Sequence, residues 1–508
     1  MGAGPINKEP EPRPVSVDEL SHHRQLHDLW LVIDGVVWDF SQFAAEHPGG
    51  AAVIAQHAGR DASAAYNEVH PPSLVKTTLP ASCRVGVLDR STVTEEWAKP
   101  PPHARSPPQK TQEKPPLESL INARDFEAAA EVSFTPKAWA FVSSAATDCL
   151  TKERNASMYR EIVLRPRVLR NVSSVDISTT VLGHKITAPI FCAPTSMGKI
   201  FHPEGECELG RGCQRLGIPQ CVSTSCSYSL PEVMDAVEGE QKMLSSDASV
   251  PVFFQLYVDK DRKKSERLLR MVKERGVKAI FLTVDAPVIG KREADERVKS
   301  DESLKAPMSG ASAKNDKKGG ALGRLMGSFI DASMTWEDIA WLRRTVPGLP
   351  IVLKGIQTSM DAMKAMEVGV DAIYITNHGG RSLDTAPATI LVLLELQKNC
   401  PQIFDKMEVY VDGGITRGTD IFKALCLGAR AVGIGRGFLF ALNYGKEGIE
   451  QFVSILTDEL VTTMQMCGIT SLDQVHPGLL HTGAVDHLIP GSDKHPYATW
   501  RPKLRSKL

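Results

Sequence analysis

The 508-residue chain lacks paired cysteines, long hydrophobic runs and a charge excess of either sign. Its ten cysteines are scattered from Cys83 to Cys467 without a Cys-x-x-Cys pair, which argues against a zinc site, a thioredoxin motif or a disulfide framework. No apolar stretch approaches the roughly 18 residues that span a bilayer, so we expect no membrane span. The formal net charge of -1 gives no electrostatic reason to expect nucleic-acid binding.

Only the C-terminal end of the chain resembles a targeting signal. Residues 1–6 lack the charged start of a secretory signal peptide. The last three residues, Ser506-Lys507-Leu508, match a peroxisomal targeting signal. They predict a peroxisomal protein that the import receptor binds, with a cytoplasmic or mitochondrial location as the alternative.

Proline-rich sequence separates two regions of ordinary globular composition. Proline pairs and triplets at residues 100–102, 107–108 and 115–116 favour an extended spacer. We therefore predict a flexible N-terminus over 1–14, a small domain over 15–90, a linker over 91–116, a large domain over 117–490 and a tail over 491–508.

The large domain alternates short apolar runs with amphipathic stretches, which is the pattern of repeated βα units. The runs cover residues 186–194, 218–225, 251–257, 279–285, 350–355, 372–378, 409–414 and 431–436. Stretches such as 262–274, 359–367 and 419–427 suit covering helices. The pattern predicts an α/β (β/α)8 TIM barrel. Residues from about 299 to 322 are predicted to form a long mobile loop, which serves as a lid, a docking surface or a plain insertion.

Polar residues follow the ends of these runs, where parallel barrels place their chemistry. Tyr257 ends the third run, Asp285 the fourth, Lys354 the fifth and His378 the sixth. This ordered series predicts one active site at the C-terminal end of the barrel.

The small domain contains His47 in the run EHPGG and His70 in the run NEVHP, and two strands around a turn are predicted at residues 29–33 and 36–39. In this order, the features resemble the α+β cytochrome b5 family. The resemblance implies haem b with His47 and His70 as the two axial iron ligands. The haem would be held without covalent bonds, because the chain has no Cys-x-x-Cys-His motif.

The large domain carries FQLY at 254–257, TVDAP at 283–287, GKREAD at 290–295, NHGGRSLD at 377–384 and DGG at 412–414. These motifs resemble the FMN-dependent 2-hydroxy-acid oxidase and dehydrogenase family over about residues 117–489. With the haem domain in front, the domain order resembles the flavocytochrome b2 family of L-lactate:cytochrome c oxidoreductases. The resemblance implies oxidation of an L-2-hydroxy acid with FMN, electron transfer through haem b to an external acceptor such as cytochrome c, and a homotetramer.

The chemistry indicates a role for each candidate residue. His378 suits the base that takes the hydroxyl proton, with Asp285 paired to its imidazolium. Arg381 offers a guanidinium fork to the substrate carboxylate, assisted by Arg292. Tyr257 is predicted to orient the substrate. Lys354 is predicted to stabilise the anionic reduced flavin.

The predicted flavin contacts follow several strand ends. They are Pro194, Thr195, Ser196, Ser223, Gln255, Thr283, Lys354, Asp412, Gly413, Gly414, Thr416, Arg417, Gly435 and Arg436. The phosphate is expected between strands seven and eight, at glycine amides and Arg436. The family usually has arginine where this chain has Thr416, so either FMN affinity is weaker or Arg417 compensates.

Two further departures from the family pattern concern the substrate. Phe141 stands where the family has a tyrosine that holds the carboxylate, so a hydrogen bond worth about 0.5–1.5 kcal/mol is expected to be lost. That position also bears on flavin-to-haem transfer, which is expected to differ here. Ser225 replaces a larger apolar residue, which predicts a substrate longer or more polar than lactate.

Two other functions fit the same sequence. One is a peroxisomal 2-hydroxy-acid oxidase in which O2 reoxidises the flavin and H2O2 is released. The other is a catalytically silent electron-transfer or sensor protein, for which Phe141 is the best support.

Overall fold

The computed structural model describes residues 13–47, 51–55, 57–63, 66–67, 74–94, 97, 113–244, 250–315 and 319–491. The chain divides into two compact units, residues 1–110 and 111–508. The predictions for His70, for most of the proline-rich linker and for the C-terminal tripeptide lie outside the described residues.

The first unit is a small α+β domain built on a five-stranded sheet. Its elements are β1 (Pro14–Val15), α1 (Val17–His22), β2 (Arg24–Gln25), β3 (Asp28–Ile33), β4 (Val36–Asp39), α2 (Ala51–Ala55), α3 (Leu74–Thr78) and β5 (Arg84–Leu88). The strand order is β1-β5-β4-β3-β2, with β1 parallel to β5 and the other pairs antiparallel.

The predicted hairpin is confirmed by the pairing of β3 with β4, in which Leu31 lies opposite Trp38. Asp34 and Gly35 connect the strands with φ angles of 50° and 79°. Two successive positive φ angles are typical of the primed two-residue turns that match strand twist. Leu31 and Trp38 are buried in the core of the unit.

Six elements precede the barrel of the second unit. They are α4 (Ala123–Ser133), α5 (Pro136–Ser143), α6 (Leu150–Glu161), β6 (Val163–Leu164), β7 (Thr179–Val181) and β8 (His184–Ile186). The hairpin of β7 and β8 packs with the aromatic residues of the barrel interior.

The barrel and its surrounding helices make up the rest of the second unit. They are β9 (Ile190–Cys192), α7 (Gly205–Leu216), β10 (Gln220–Ser223), α8 (Leu230–Met243), β11 (Val252–Leu256), α9 (Arg262–Glu274), β12 (Ile280–Thr283), α10 (Glu293–Arg297), β13 (Lys305–Ala306), β14 (Ala311–Ser312), α11 (Leu322–Met326), α12 (Asp338–Thr345), β15 (Ile351–Ile356), α13 (Ser359–Val368), β16 (Ala372–Ile375), α14 (Thr389–Asn399), α15 (Ile403–Lys406), β17 (Glu408–Val411), α16 (Gly418–Cys426), β18 (Ala431–Ile434), α17 (Arg436–Leu442), α18 (Gly445–Met466) and β19 (Leu480–His481).

Eight parallel strands close the barrel in the order β9-β10-β11-β12-β15-β16-β17-β18, with β18 paired to β9. All eight predicted strands are therefore confirmed. Aromatic side chains such as Phe191, Phe281 and Tyr374 fill the interior, and Gly433 leaves room for the Tyr374 hydroxyl, because a Cβ there would lie 1.9 Å from it. The barrel interior is thus a packed core that leaves its strand ends free for a site.

The segment predicted as a mobile loop has more structure than expected. Within its described residues, β13 and β14 pair as a short hairpin, and Ala306 and Ala313 are buried. Lys137 of α5 anchors the segment, because its ammonium donates to Asp295 Oδ1 at 2.6 Å and to the Val298 and Gly320 carbonyls. The composition of the segment does not predict these contacts, because they are made by Lys137, which is distant in the sequence.

None of the helices in the described part of the chain is long and apolar enough to cross a bilayer.

Candidate functional site

A cavity of about 250 Å³ opens at the C-terminal ends of the barrel strands, where the sequence places its site. Its lining includes these predicted residues: Phe141, Pro194, Thr195, Ser196, Ser225, Tyr257, Arg292, Lys354, His378, Arg381, Asp412, Gly413, Gly414, Thr416, Gly435 and Arg436. The barrel therefore brings together residues that lie almost 300 positions apart in the chain.

His378 lies between a carboxylate and a phenol. Its Nδ1 is 3.1 Å from Asp285 Oδ1, and its Nε2 is 3.2 Å from the Tyr257 hydroxyl. The buried Asp285 fixes the tautomer in which Nδ1 carries the proton, so Nε2 is the free acceptor. Gly355 permits this approach, because a Cβ there would lie 2.6 Å from the Asp285 nitrogen.

Electrostatics keep the imidazole neutral. Burial first, and the positive charge of Lys354 second, lower the pKa of His378 to about 4, although Asp285 opposes them. Burial alone would raise the pKa of Asp285, but the neighbouring His378 and Lys354 hold it below its usual value. The pair thus holds an ionised carboxylate and a neutral imidazole at neutral pH.

The loop that carries His378 is held by amide and carboxylate contacts. Asn377 and Asn155 of α6 exchange two side-chain hydrogen bonds of 2.8 Å, and both side chains are buried. Asp384 accepts hydrogen bonds from the Thr151 and Asp148 nitrogens. Burial would raise the pKa of Asp384, but hydrogen bonds, chiefly from the Thr151 nitrogen and the Thr147 hydroxyl, lower it to about 2. His378 itself has a φ of 61°, a left-handed conformation that this anchoring maintains.

Three guanidinium groups line the same cavity, and two of them, Arg381 and Arg292, lie near the catalytic candidates. Arg381 donates to the Phe141 carbonyl at 2.6 Å and to the Val142 carbonyl at 2.7 Å, and it stands 5.3 Å from the centre of the Phe141 ring. Arg292 is 8% exposed, and its Nε has no hydrogen-bond partner among the residues that the structure describes. Burial lowers the pKa of both groups. An anion in the cavity would compensate this concentration of positive charge.

The chemistry of the cavity fits FMN together with a hydroxy acid. Within the described part of the chain, the Ser225 hydroxyl and Arg292 Nε are buried polar atoms without hydrogen-bond partners, so the cavity is built for a polar occupant. Lys354 is 3% exposed and lies near the Asp412 carboxylate, which accepts a hydrogen bond from the Tyr374 hydroxyl at 2.9 Å. Lys354, Asp412 and Arg436 would hold the polar groups of the cofactor.

Four of the predicted flavin contacts do not border this cavity among the described residues. Ser223 donates to Gln255 Oε1 at 2.8 Å, and Gln255 Nε2 donates to the Thr283 hydroxyl at 2.9 Å, so these three side chains form a hydrogen-bonded chain across β10, β11 and β12. Arg417 instead pairs with Glu459 at 2.7 Å.

Sequence reasoning missed two charged groups that line the cavity, Lys152 of α6 and Glu127 of α4. Both lie on helices that precede the barrel, outside the strand-end pattern that revealed the other residues. Asp384 belongs to a recognised motif, but its role as an anchor depends on contacts with residues more than 230 positions away.

In the first unit, His47 follows the 3₁₀ turn Ala44–Glu46, and its ring packs edge-on against Phe43, 5.9 Å between centres. Phe43 in turn contacts the apolar core of the unit. An imidazole beside an apolar cluster suits a haem, whose ring is largely apolar. The second predicted ligand, His70, is outside the described residues.

Comparison with known proteins gives two family matches. The FMN-dependent dehydrogenase model matches residues 130–482, and the cytochrome b5-like heme/steroid binding domain matches residues 16–89. L-lactate dehydrogenase (cytochrome) of Saccharomyces cerevisiae is 38% identical and covers 94% of this chain and 82% of its own. A peroxisomal (S)-2-hydroxy-acid oxidase of Oryza sativa subsp. japonica is 38% identical over 70% of this chain and 94% of its own.

Solved structures agree with these relatives. A double mutant of flavocytochrome b2 with pyruvate bound has a TM-score of 0.65 at 38% identity and covers 78% of this chain and 95% of its own. Mandelate oxidase with (S)-4-hydroxymandelic acid also has a TM-score of 0.65, at 30% identity, and covers 71% of this chain and 98% of its own.

Proposed function

The chain belongs to the FMN-dependent dehydrogenase family and carries a cytochrome b5-like domain before the barrel, and we propose its function on that basis. The protein oxidises an L-2-hydroxy acid to the 2-oxo acid with FMN. Electrons pass to haem b and then to an external acceptor such as cytochrome c. The observation that carries the proposal is the neutral His378 imidazole between Asp285 and Tyr257, in a cavity that three arginines also line.

The proton step follows from this geometry. The Tyr257 hydroxyl donates to His378 Nε2 in the structure, and a substrate hydroxyl entering the cavity would take its place as donor. His378 accepts the hydroxyl proton at Nε2, and Asp285 stabilises the imidazolium that forms. When bound, FMN supplies the acceptor for the hydrogen and electron pair that leave C2.

Substrate orientation is assigned to the cations. Arg381 and Arg292 would bind the carboxylate, since a guanidinium fork matches its two oxygens. Arg381 exchanges its backbone carbonyl partners for the substrate in doing so. Burial raises the pKa of Tyr257, which keeps this phenol protonated and able to donate to the substrate.

We propose a substrate longer or more polar than lactate. The support is Ser225, a small residue that lines the cavity and whose buried hydroxyl has no partner among the described residues. Two solved relatives hold acids larger than lactate: an L230A mutant of flavocytochrome b2 with benzoylformate, and a mandelate oxidase with (S)-4-hydroxymandelic acid.

The acceptor, location and assembly are the finer points of the proposal. A cytochrome acceptor is supported by the relatives named L-lactate dehydrogenase (cytochrome). A second candidate, an oxidase that uses O2 in peroxisomes, is supported by the tripeptide Ser506-Lys507-Leu508 and by relatives named peroxisomal oxidases. Deleting the tripeptide from a fluorescent fusion should abolish peroxisomal import. A homotetramer is the expected assembly, which sedimentation would test.

Anaerobic stopped-flow absorbance with a panel of L-2-hydroxy acids tests the function. Bleaching of the flavin followed by appearance of the reduced-haem bands is the expected result. Flavin bleaching with the haem still oxidised, together with H2O2 release in air, would favour the oxidase. If neither the flavin nor the haem absorbance changes with any acid, the protein is a catalytically silent electron-transfer or sensor protein.

A further inference from the structure

The family usually has an arginine at position 416, near the strand ends where we expect the cofactor phosphate, and this chain lacks that positive charge. Thr416 stands in place of arginine, and its nitrogen and hydroxyl face Asp420 Oδ2 at 3.0 and 3.4 Å. Arg417 is bound to Glu459 at 2.7 Å and does not border the cavity. Neither residue therefore brings a positive charge to a cofactor phosphate.

Lys152 is a cation that lines the same cavity as Thr416. It lies in the first turn of α6 and lines the cavity together with Ala156, one turn later on the same helix, and with Thr416 and Arg436. Its ammonium is partly buried and donates to the Ser143 carbonyl at 2.8 Å. A cation on this helix therefore shares the cavity with Thr416.

The end of α5 gathers Lys152 with two arginines. Arg381 donates to the Phe141 and Val142 carbonyls, and Lys152 donates to Ser143. Arg436 donates to the carbonyls of Val142 and Ser144, each at 3.1 Å. The last carbonyls of a helix lack intrahelical partners and carry partial negative charge, which explains why three cations collect there.

The cluster holds more positive than negative charge. Burial first, and the charges of Arg436 and Arg381 after it, lower the pKa of Lys152, whereas Glu127 opposes this effect. Burial also lowers the pKa of Arg436 to about 10, again with Glu127 in opposition. Five cations line this cavity against two carboxylates, Glu127 and Asp412, so a dianion bound here would relieve the repulsion between the cations.

We propose that Lys152 and Arg436 together bind the phosphate of FMN, with Lys152 supplying the charge that Thr416 lacks. Arg381 remains available for the substrate carboxylate. The inference rests on the proposed function, because it requires that the barrel bind FMN. It assigns to α6, a helix before the barrel, a part in cofactor binding.

The test compares FMN with riboflavin, which has the same ring and ribityl chain without the phosphate. Calorimetric titration of the FMN-depleted full chain gives both dissociation constants. Lys152→Gln should weaken FMN binding about 10- to 100-fold, the range for one charge-assisted hydrogen bond, and leave riboflavin binding within about twofold. Lys152→Arg should retain FMN affinity, and Thr416→Arg in the Lys152→Gln background should restore it.

Arg154→Gln provides the matched control, because Arg154 is an exposed cation on the same helix that does not line the cavity. This variant should bind FMN like the parent protein. Unchanged FMN affinity in Lys152→Gln, or an equal loss for FMN and riboflavin, would overturn the assignment of Lys152 while leaving FMN binding intact. A parent protein that binds neither flavin would overturn the proposed function and this inference with it. Circular dichroism of each variant separates these outcomes from misfolding.

Discussion

The low pKa of His378 predicts an unusual pH dependence of substrate oxidation. The base is active only when the imidazole is neutral, and burial with the Lys354 charge lowers its pKa from 6.5 to about 4. At pH 5 an imidazole of pKa 4 is about 90% neutral, whereas one of ordinary pKa is about 3% neutral. We therefore expect the acid limb of kcat/KM near pH 4, so that activity at pH 5 approaches that at pH 7.

The assay is anaerobic flavin reduction over a pH series at constant ionic strength, with substrate concentration expressed as the carboxylate. Lys354→Met should move the acid limb upward, because the charge that helps to keep His378 neutral is removed. His378→Gln should reduce the rate about 10²- to 10⁴-fold at every pH. An acid limb near pH 6.5 in the parent protein would contradict a lowered pKa of His378, since the imidazole would then titrate as if exposed.

The same shift has a consequence for stability. Between pH 6.5 and about 4 the unfolded chain binds a proton at His378 that the folded chain does not. The stabilisation from this group is present above pH 6.5 and is lost as the pH falls toward 4. Urea unfolding of the parent and of His378→Gln over this range should therefore converge as the pH falls. Parallel curves would contradict the linkage.

Three substitutions test other parts of the site. Phe141→Tyr should lower KM about 2- to 10-fold by restoring one hydrogen bond to the carboxylate, and steady-state kinetics that show an unchanged KM would contradict the assigned position of Phe141. Ser225→Leu should reduce kcat/KM for bulky hydroxy acids far more than for lactate, and an equal loss for both would count against the enlarged pocket. Asp384→Asn should cost about 1–3 kcal/mol in urea unfolding, because the Thr151 nitrogen and its neighbours lose a charged acceptor; a cost below about 0.5 kcal/mol would exclude this anchoring role.

The behaviour of residues 299–322 illustrates where composition misleads. Lysine, serine and glycine indicate a solvated loop, yet Lys137 holds the preceding Asp295 in a buried ion pair and also reaches the Gly320 carbonyl. Such anchoring depends on one distant side chain and leaves no periodic pattern in the segment itself. A local reading of the sequence cannot detect it.

The barrel, the cytochrome b5-like domain and most of the cavity lining could be predicted from the sequence. Strands buried on both faces are continuous apolar runs, and residues such as Lys354 and His378 lie at the ends of those runs, so local order predicts their common location. Which charged side chains contact one another could be learned only from the tertiary structure. It binds Arg417 to Glu459 and places Lys152 beside Arg436, because these contacts join helices and loops that no local pattern relates.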